Sequence, residues 1–376
     1  VRIGIDYTPA YEQGGGIGRL VRNLVAALAQ YDADFDYRLF VAGVKRSDLP
    51  SLSEPNFSWN ATRVSSRWLA RIWHRARMPL PVELFVGSVS LYHAMDFVLP
   101  PTLPVTRTVV TVHDMSFVRV PDAASPQLRQ YLNRVVPRSV RRADCVIADS
   151  QSTKDDLIDL YGVEPDKISV LLSGIASHYF VDSVSKMTMR SKYNIPDAPY
   201  IFSVGTVQPR KNYSRLIQAL VILRRMYHNL HLVIAGGSGW LEDDMYRTIE
   251  AAKQADFVHL IGFVDDADLP ALYHDAACVA YPSLYEGFGF PVLEAMASGT
   301  PVVTSNVSSL PEVAGDAALL VDPYRVEEIA HAIQRILGDS ELRQELIQRG
   351  YKQAAKFTWA NSAKQLHQIY TKVLAT

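Results

Sequence analysis

Residues 278–294 read Cys-Val-Ala-Tyr-Pro-Ser-Leu-Tyr-Glu-Gly-Phe-Gly-Phe-Pro-Val-Leu-Glu. The first four are apolar and strand-like, and Pro291 to Ser298 has helical character. Pro291 suits the first turn of a helix, where its missing N–H costs nothing. The stretch therefore reads as strand, glycine loop, helix. That order gathers the loop N–H groups and the positive end of a helix dipole around one point. Such a point attracts an anion. Glu286 and Glu294 bracket it, and Gly287 and Gly289 let the backbone turn between them.

The same order recurs on both sides. Upstream, the strand Tyr200 to Gly205 leads into Gln208-Pro-Arg-Lys-Asn212 and a helix from about Tyr213. Leu230 to Ala235 leads into Gly236-Gly-Ser-Gly-Trp240, and Val258 to Phe263 into Asp265-Asp-Ala-Asp268 and a helix over Leu269 to Asp275. Downstream, Pro301 to Thr304 and Ala318 to Val321 complete one sheet. The amino-terminal part repeats the plan. Arg2 to Asp6 is a strand, followed by Gly14-Gly-Gly16, Gly18 and a helix from about Arg19 to Gln30. His113-Asp114 follows the apolar strand Arg107 to Val112, and strands are also expected at Asp144 to Ala148 and Ile168 to Leu172. Between the two parts, Ser173 to Pro199 has no period, which places a linker near 176–195. A chain of 376 residues suits two domains of roughly 150–200 residues each. The expected α/β architecture is two facing doubly wound Rossmann-like domains, 1–178 and 179–358. Two such domains facing each other make a ligand cleft between them.

Composition removes several classes. A net charge of −1 gives no bulk attraction to nucleic acid. No apolar run approaches 18 residues and no signal peptide is evident, which fits a cytoplasmic location. The chain opens on a strand without Met, as a processed or trimmed start would. Cys145 and Cys278 sit in apolar runs and read as buried reduced thiols. One stretch stands apart. Over residues 66–78, Trp68, Leu69, Ile72, Trp73 and Ala76 share one helical face. Arg67, Arg71, His74, Arg75 and Arg77 lie opposite or along its flanks. That is the pattern of a helix lying on a membrane surface, here the inner face, although simple packing against the core is the plainer alternative.

The glycines of the first loop do not make a dinucleotide fingerprint. The sixth position from Gly14 is Arg19, and no acidic residue follows the strand Tyr37 to Val41. Gly15 and Gly16 either let backbone approach a phosphate closely or belong to an ordinary loop. Arg210 can fork onto phosphate oxygens and Lys211 adds a point charge. With both present no metal is needed. Asp266 and Asp268 read as a loop and an N-cap for the helix at Leu269. Asp34 and Asp36 lie before their strand, at the wrong end for a ligand. No metal and no cofactor are expected. A pair of carboxylates also suits glycoside hydrolysis, but phosphate-binding cations have no use there, so transfer is favoured.

Taken in order, these pieces resemble the retaining glycosyltransferases of family 4, which have the GT-B fold. The resemblance spans nearly the whole chain. It rests on the Gly-rich first loop, His113-Asp114, Arg210-Lys211-Asn212, and Glu286 with Glu294 in a Glu-x7-Glu motif. The Gly-Ile-Gly-Arg start and the His-Asp segment look like bacterial mannosyltransferases of polysaccharide or lipid-linked glycan synthesis. The resemblance implies a nucleotide-sugar donor on the second domain and a glycan or lipid-linked acceptor on the first. It also implies that a final helix, about 359–376, packs back on the first domain and that the cleft opens and closes around the donor. It puts Glu294 on the ribose, and Glu286 with the N–H groups of Phe288, Gly289 and Phe290 on the donor sugar. Gly16 would lie beside the diphosphate and His113 beside the sugar. The base would meet backbone near Gly236 and near Phe263 and Val264, with Trp240 as a flank. GDP-mannose is the expected donor. UDP- or dTDP-sugars, a sugar-nucleotide epimerase and a non-catalytic binder stay open, as does the role of Asp114.

Overall fold

The computed structural model describes residues 1–180, 186–239 and 243–376. Trp240 lies outside the described residues. Among them, short apolar runs form two sheets in which every pairing is parallel. The first contains β1 (Arg2–Asp6), β2 (Asp36–Ala42), β3 (Phe57–Thr62), β4 (Leu91–Ala94), β5 (Arg107–Val112), β6 (Cys145–Ala148) and β7 (Ile168–Val170). The second contains β8 (Tyr200–Val204), β9 (His231–Ala235), β10 (Val258–Gly262), β11 (Cys278–Tyr281), β12 (Val302–Ser305) and β13 (Ala318–Val321). Parallel strands need helical crossovers, which cover both sheet faces, so central strands carry apolar residues on both sides. All four residues of β4, β6 and β11 are buried accordingly.

Strand order places the sites. The first sheet runs β3-β2-β1-β4-β5-β6-β7 and the second β10-β9-β8-β11-β12-β13. Order reverses between β1 and β4 in one, and between β8 and β11 in the other. At such a reversal the helices leave to opposite faces and open a crevice at the strands' carboxyl ends.

Two units are distinct. One comprises Val1–Met115, Gln127–Gly174 and Thr358–Thr376; the other comprises Ser116–Pro126 and Ile175–Phe357. The chain passes from the first to the second after Gly174 and returns to the first after Phe357. In the first unit, the helix Gly16–Tyr31 buries Leu20, Val21, Leu24, Val25 and Leu28 at helical spacing. The last helix, Trp359–Ala375, packs beside it, and its Tyr370 hydroxyl lies 2.7 Å from His93 Nδ1. In the second unit, Leu216, Ile217 and Leu220 of the helix Tyr213–Leu223 meet Ile329, Ile333 and Ile336 of the helix Val326–Gly338.

Several expectations need correction. A short helix, Thr8–Glu12, precedes the first glycine loop, and the next helix already begins at Gly16. The aperiodic stretch 173–199 contains a helix, Lys186–Lys192. The expected 66–78 helix stops at Arg75: an α-helical part, Ser66–Ala70, continues into a π-turn, Arg71–Arg75. The π-turn admits an extra residue and rotates the side chains that follow. Leu69 is buried and Trp73 donates Nε1–H to Leu80 O at 2.8 Å, whereas Trp68 is 57% exposed. Trp68 is therefore not on the packed face. Both cysteines are free and buried, as their surroundings led one to expect.

Candidate functional site

The cations after β8 are held by the loop after β11. Pro209–Lys211 forms a single tight turn, and Asn212 closes it in the left-handed region at φ 61°. Asn212 Nδ2–H donates to Pro282 O at 2.9 Å and to Pro323 O at 2.7 Å. Leu284 N–H donates to Arg210 O at 2.8 Å. These bonds set the two loops side by side across the β8/β11 reversal.

Their charged side chains then meet. Arg210 Nη1 lies 2.5 Å from Glu286 Oε2, and Lys211 Nζ lies 2.8 Å from Glu286 Oε1. The Tyr281 hydroxyl accepts from Lys211 Nζ and donates to Glu286 Oε1 at 2.9 Å. Lys211 and Glu286 are buried. Burial alone would raise the Glu286 pKa, but the charges of Arg210 and Lys211 outweigh it and hold it down at about 2. Burial pushes the Tyr281 phenol far upward, so it stays a neutral linker between the two ions. The loop beneath is pinned by serines. Glu286 N–H donates to Ser308 Oγ at 2.9 Å, and Ser309 Oγ–H donates to Glu286 O at 2.9 Å and Phe288 O at 2.7 Å.

Gly289 sits at φ 116° at the head of the helix Phe290–Ala297, a conformation that disfavours any side chain. The N–H groups of Phe288 and Gly289 have no acceptor among the described residues. Glu294 goes elsewhere. It is fully buried, and one oxygen accepts from the Tyr273 hydroxyl at 2.8 Å. Gly236 fits because a Cβ there would lie 2.1 Å from Gly205 O, so the loops after β8 and β9 close on each other. Phe263 projects from the end of β10 with 65% exposure, while Val264 is buried.

The first sheet carries a second cluster at its carboxyl edge. His113 follows β5, Asp149 follows β6, Asp96 lies just past β4, and Asp6 ends β1. His113 Nδ1 lies 2.8 Å from Asp149 Oδ2, and Nε2 lies 2.8 Å from Met95 O. A carbonyl can only accept, so Nε2 must donate. Burial would lower the His113 pKa, but the charge and hydrogen bond of Asp149, with Asp96 and the Met95 carbonyl, push it up to about 9. Burial pushes the Asp149 carboxyl upward and the facing imidazolium pulls it back. Both nitrogens are thus occupied by protein. Phe97, in the left-handed region at φ 53°, sets its ring edge-on to His113 at 5.4 Å. Burial raises Asp96, which accepts from Gln13 Nε2–H at 3.0 Å, and lifts Asp6 to about 6. Gly15 caps the following helix and Gly16 begins it, and their N–H groups have no acceptor among the described residues.

The acidic pairs set aside earlier have other occupations. Asp268 does not cap its helix, since its backbone is already helical there. Its carboxylate accepts from Lys192 Nζ at 2.5 Å and from the Tyr193 hydroxyl at 2.6 Å. Asp32, Asp34 and His367 bring ligand atoms within 4.8 Å of one another, before β2 and away from its carboxyl end. Sequence reading missed Tyr281, Tyr273, Ser308, Ser309, Asp6, Asp96 and Asp149. A signal existed for the last three, since each follows an apolar strand at the edge where α/β sheets place ligands.

Among the described residues, each doubly wound sheet thus carries free loop N–H groups and buried charged groups at its strand-order reversal. Residues 14–178 match the family described as Glycosyltransferase Family 4, and residues 185–353 match the one described as Glycosyl transferases group 1. The chain belongs to these glycosyltransferases, which have the GT-B fold. It is 35% identical over 372 residues to O-antigen chain mannosyltransferase B of Escherichia coli, covering 94% of this chain and 95% of that protein. It is 30% identical over 278 residues to the serotype-specific mannosyltransferase WbdA of Escherichia coli, covering 71% of this chain but 34% of that protein. In fold it is similar to sucrose-phosphate synthase from Thermosynechococcus elongatus, with a TM-score of 0.76, 23% identity, and coverage of 100% of this chain and 99% of that one. The protein is a glycosyltransferase acting on a nucleotide-sugar.

Proposed function

We propose that the chain moves a mannosyl residue from GDP-mannose to a glycan or lipid-linked acceptor, with retention at the anomeric carbon and without a metal. The relatives named for mannose transfer support the sugar. The observation that carries the reading is the buried cluster of Arg210, Lys211 and Glu286. Two fixed cations in a site shielded from water are suited to a diphosphate leaving group. At present they hold Glu286. When diphosphate oxygens take over the cations, the carboxylate is released to accept hydroxyls of the donor sugar. Phe288 and Gly289 N–H groups stand beside it. Phe263 is free to lie against the base, and Glu294 meets the ribose once uncovered.

The acceptor hydroxyl then attacks the anomeric carbon from the face that the nucleotide leaves. The bond to the phosphate oxygen breaks as the new glycosidic bond forms, and the departing phosphate takes the hydroxyl proton. The oxocarbenium-like state between them is stabilised electrostatically. His113, with both nitrogens engaged, contributes a fixed charge to the first unit. Asp6 and Asp96 are the groups there suited to sugar hydroxyls. The exposed Trp68, with the Arg71 guanidinium 4.7 Å from its ring centre, supports contact with a membrane carrying a lipid-linked acceptor. Among the described residues no helix is long and apolar enough to cross one.

The test compares GDP, UDP and dTDP in the presence of a chelator. GDP should raise Tm most, since a ligand bound only by the folded state stabilises it by mass action. A larger rise with UDP reassigns the donor. NMR of the product gives the anomeric configuration, and an inverted product ends the retaining mechanism. Formation of an epimerised sugar nucleotide without acceptor favours the epimerase instead.

A further inference from the structure

A groove of about 270 Å³ lies in the first unit between the helix Gly16–Tyr31, the strands β2 and β3, and residues 50–54. We infer that it is a second carbohydrate subsite, which holds a hexose unit of the acceptor glycan other than the one that reacts. This rests on the glycan-acceptor reading above.

The groove exists because of small side chains. Ala26 and Ala29, one turn apart on the helix, leave room where a larger residue would reach the sheet. Opposite them Trp59 and Phe57 project from β3, the edge strand of the sheet. Trp59 Nε1–H donates to Pro50 O at 2.7 Å, which fixes the indole and anchors the 50–54 wall. Tyr7 sets its ring edge-on to Trp59 at 5.2 Å. Its hydroxyl has no hydrogen-bond partner among the described residues. Arg22 closes one end while donating to the carbonyls of Ala10 and Gln13. Ser51, Ser53, Gln30 and Glu54 complete the rim.

This chemistry selects among ligands. One cation and one carboxylate at the rim balance, which disfavours a phosphate or a basic peptide. The hydroxyls, the amide and Tyr7 ask for a ligand with many neutral hydrogen-bonding groups. The aromatic rings ask for an apolar face. A hexopyranose has both, a ring of hydroxyls around C–H faces. The volume lies just under the roughly 300–1,000 Å³ of pockets for drug-sized ligands, which suits a single sugar unit. An enzyme that extends a glycan must hold the chain behind its reacting end, and binding energy from such remote units improves turnover of longer acceptors.

The experiment uses the full chain and α-mannotriose, followed by saturation-transfer NMR resolved by sugar ring. In the unmodified protein saturation should reach more than one ring. In Ala29→Trp, which fills the groove, and in Trp59→Ala, which removes its wall, it should fall to a single ring. The acceptor KM should rise at least fivefold in both, with the donor KM unchanged. The Tm rise given by a nucleoside diphosphate checks that each variant is folded. An unchanged ring pattern and unchanged acceptor KM in both folded variants overturns the inference. The NMR readout uses no donor, so a wrong donor assignment shows in turnover and leaves this result standing.

Discussion

Both sheets gather charge at the carboxyl ends of their strands, but the charged groups are held by different kinds of partner. In the second unit, Arg210 and Lys211 are satisfied by Glu286, a side chain on a glycine-rich loop. In the first, His113 is satisfied on one side by a backbone carbonyl and on the other by Asp149, which directly follows a buried strand. A carboxylate on a loop can be exchanged for a phosphate; a main-chain carbonyl within the fold cannot. A buried ion pair alone therefore does not mark a ligand site. Under the proposed function, what marks one is a partner able to leave.

The largest effect should follow removal of an exchangeable cation. Lys211→Ala should lower kcat/KM about 10²–10³-fold, the cost of deleting one preorganised charge at a developing anion. Tm should change little, because Arg210 remains beside Glu286. Near-normal turnover in a folded Lys211→Ala protein would remove the donor site from this cluster. Glu286→Gln separates the two halves of the proposed exchange. Transfer should fall about a hundredfold, since the sugar loses its carboxylate. Affinity for the free nucleoside diphosphate should instead rise about fivefold, because cations no longer held by a charge are more often available. Calorimetric titration measures the second quantity, and a parallel loss of binding and turnover contradicts the exchange.

The clusters should also differ in their response to pH. Glu286 is held at about 2, below its ordinary 4.5. Its contribution to stability is present above 4.5 and is lost as pH falls through 2. His113 is held at about 9, above its ordinary 6.5. Its contribution is complete below 6.5 and is lost as pH rises through 9, by at most about 3 kcal/mol. Asp149→Asn should therefore lower Tm at pH 6–7 and flatten its decline toward pH 9. An alkaline limb identical to that of the unmodified protein would show that the imidazole is not the titrating group.

The sequence made one cluster plain and half hid the other. Arg210, Lys211 and Glu286 lie in turns rich in glycine and proline, where strand, loop and helix can be read locally. Their mutual pairing is a long-range fact, set by Asn212 reaching Pro282 and Pro323, and no local pattern announces it. Asp149 precedes Ser150, which caps the helix Gln151–Tyr161, so its local pattern is that of a helix start. Its carboxylate is committed to His113 only because β5 and β6 are neighbours in the sheet. Glu294 shows the reverse limit. Its position in the helix was legible, but its burial against Tyr273 depends on packing by a separate helix, Leu269–Asp275. The 66–78 stretch failed at one step: Trp68 and Leu69 are neighbours about 100° apart around the helix, and only Leu69 turns to the core.

The outward side of that segment carries the weakest expected effect. With Leu69 and Trp73 anchoring the segment, Trp68 and the exposed Arg67, Arg71 and Arg75 are left outward. Each arginine near an anionic bilayer contributes about 1 kcal/mol, so a single Arg→Ala change should weaken vesicle binding roughly fivefold. The triple change should abolish co-sedimentation with vesicles containing acidic lipid. Binding should also fall as salt rises, since exposed charges are screened. Turnover on a water-soluble acceptor should persist in the triple variant, because these residues touch neither cluster. Binding that survives the triple change, or that ignores salt, would mean that the segment is a packed helix whose basic side faces only water.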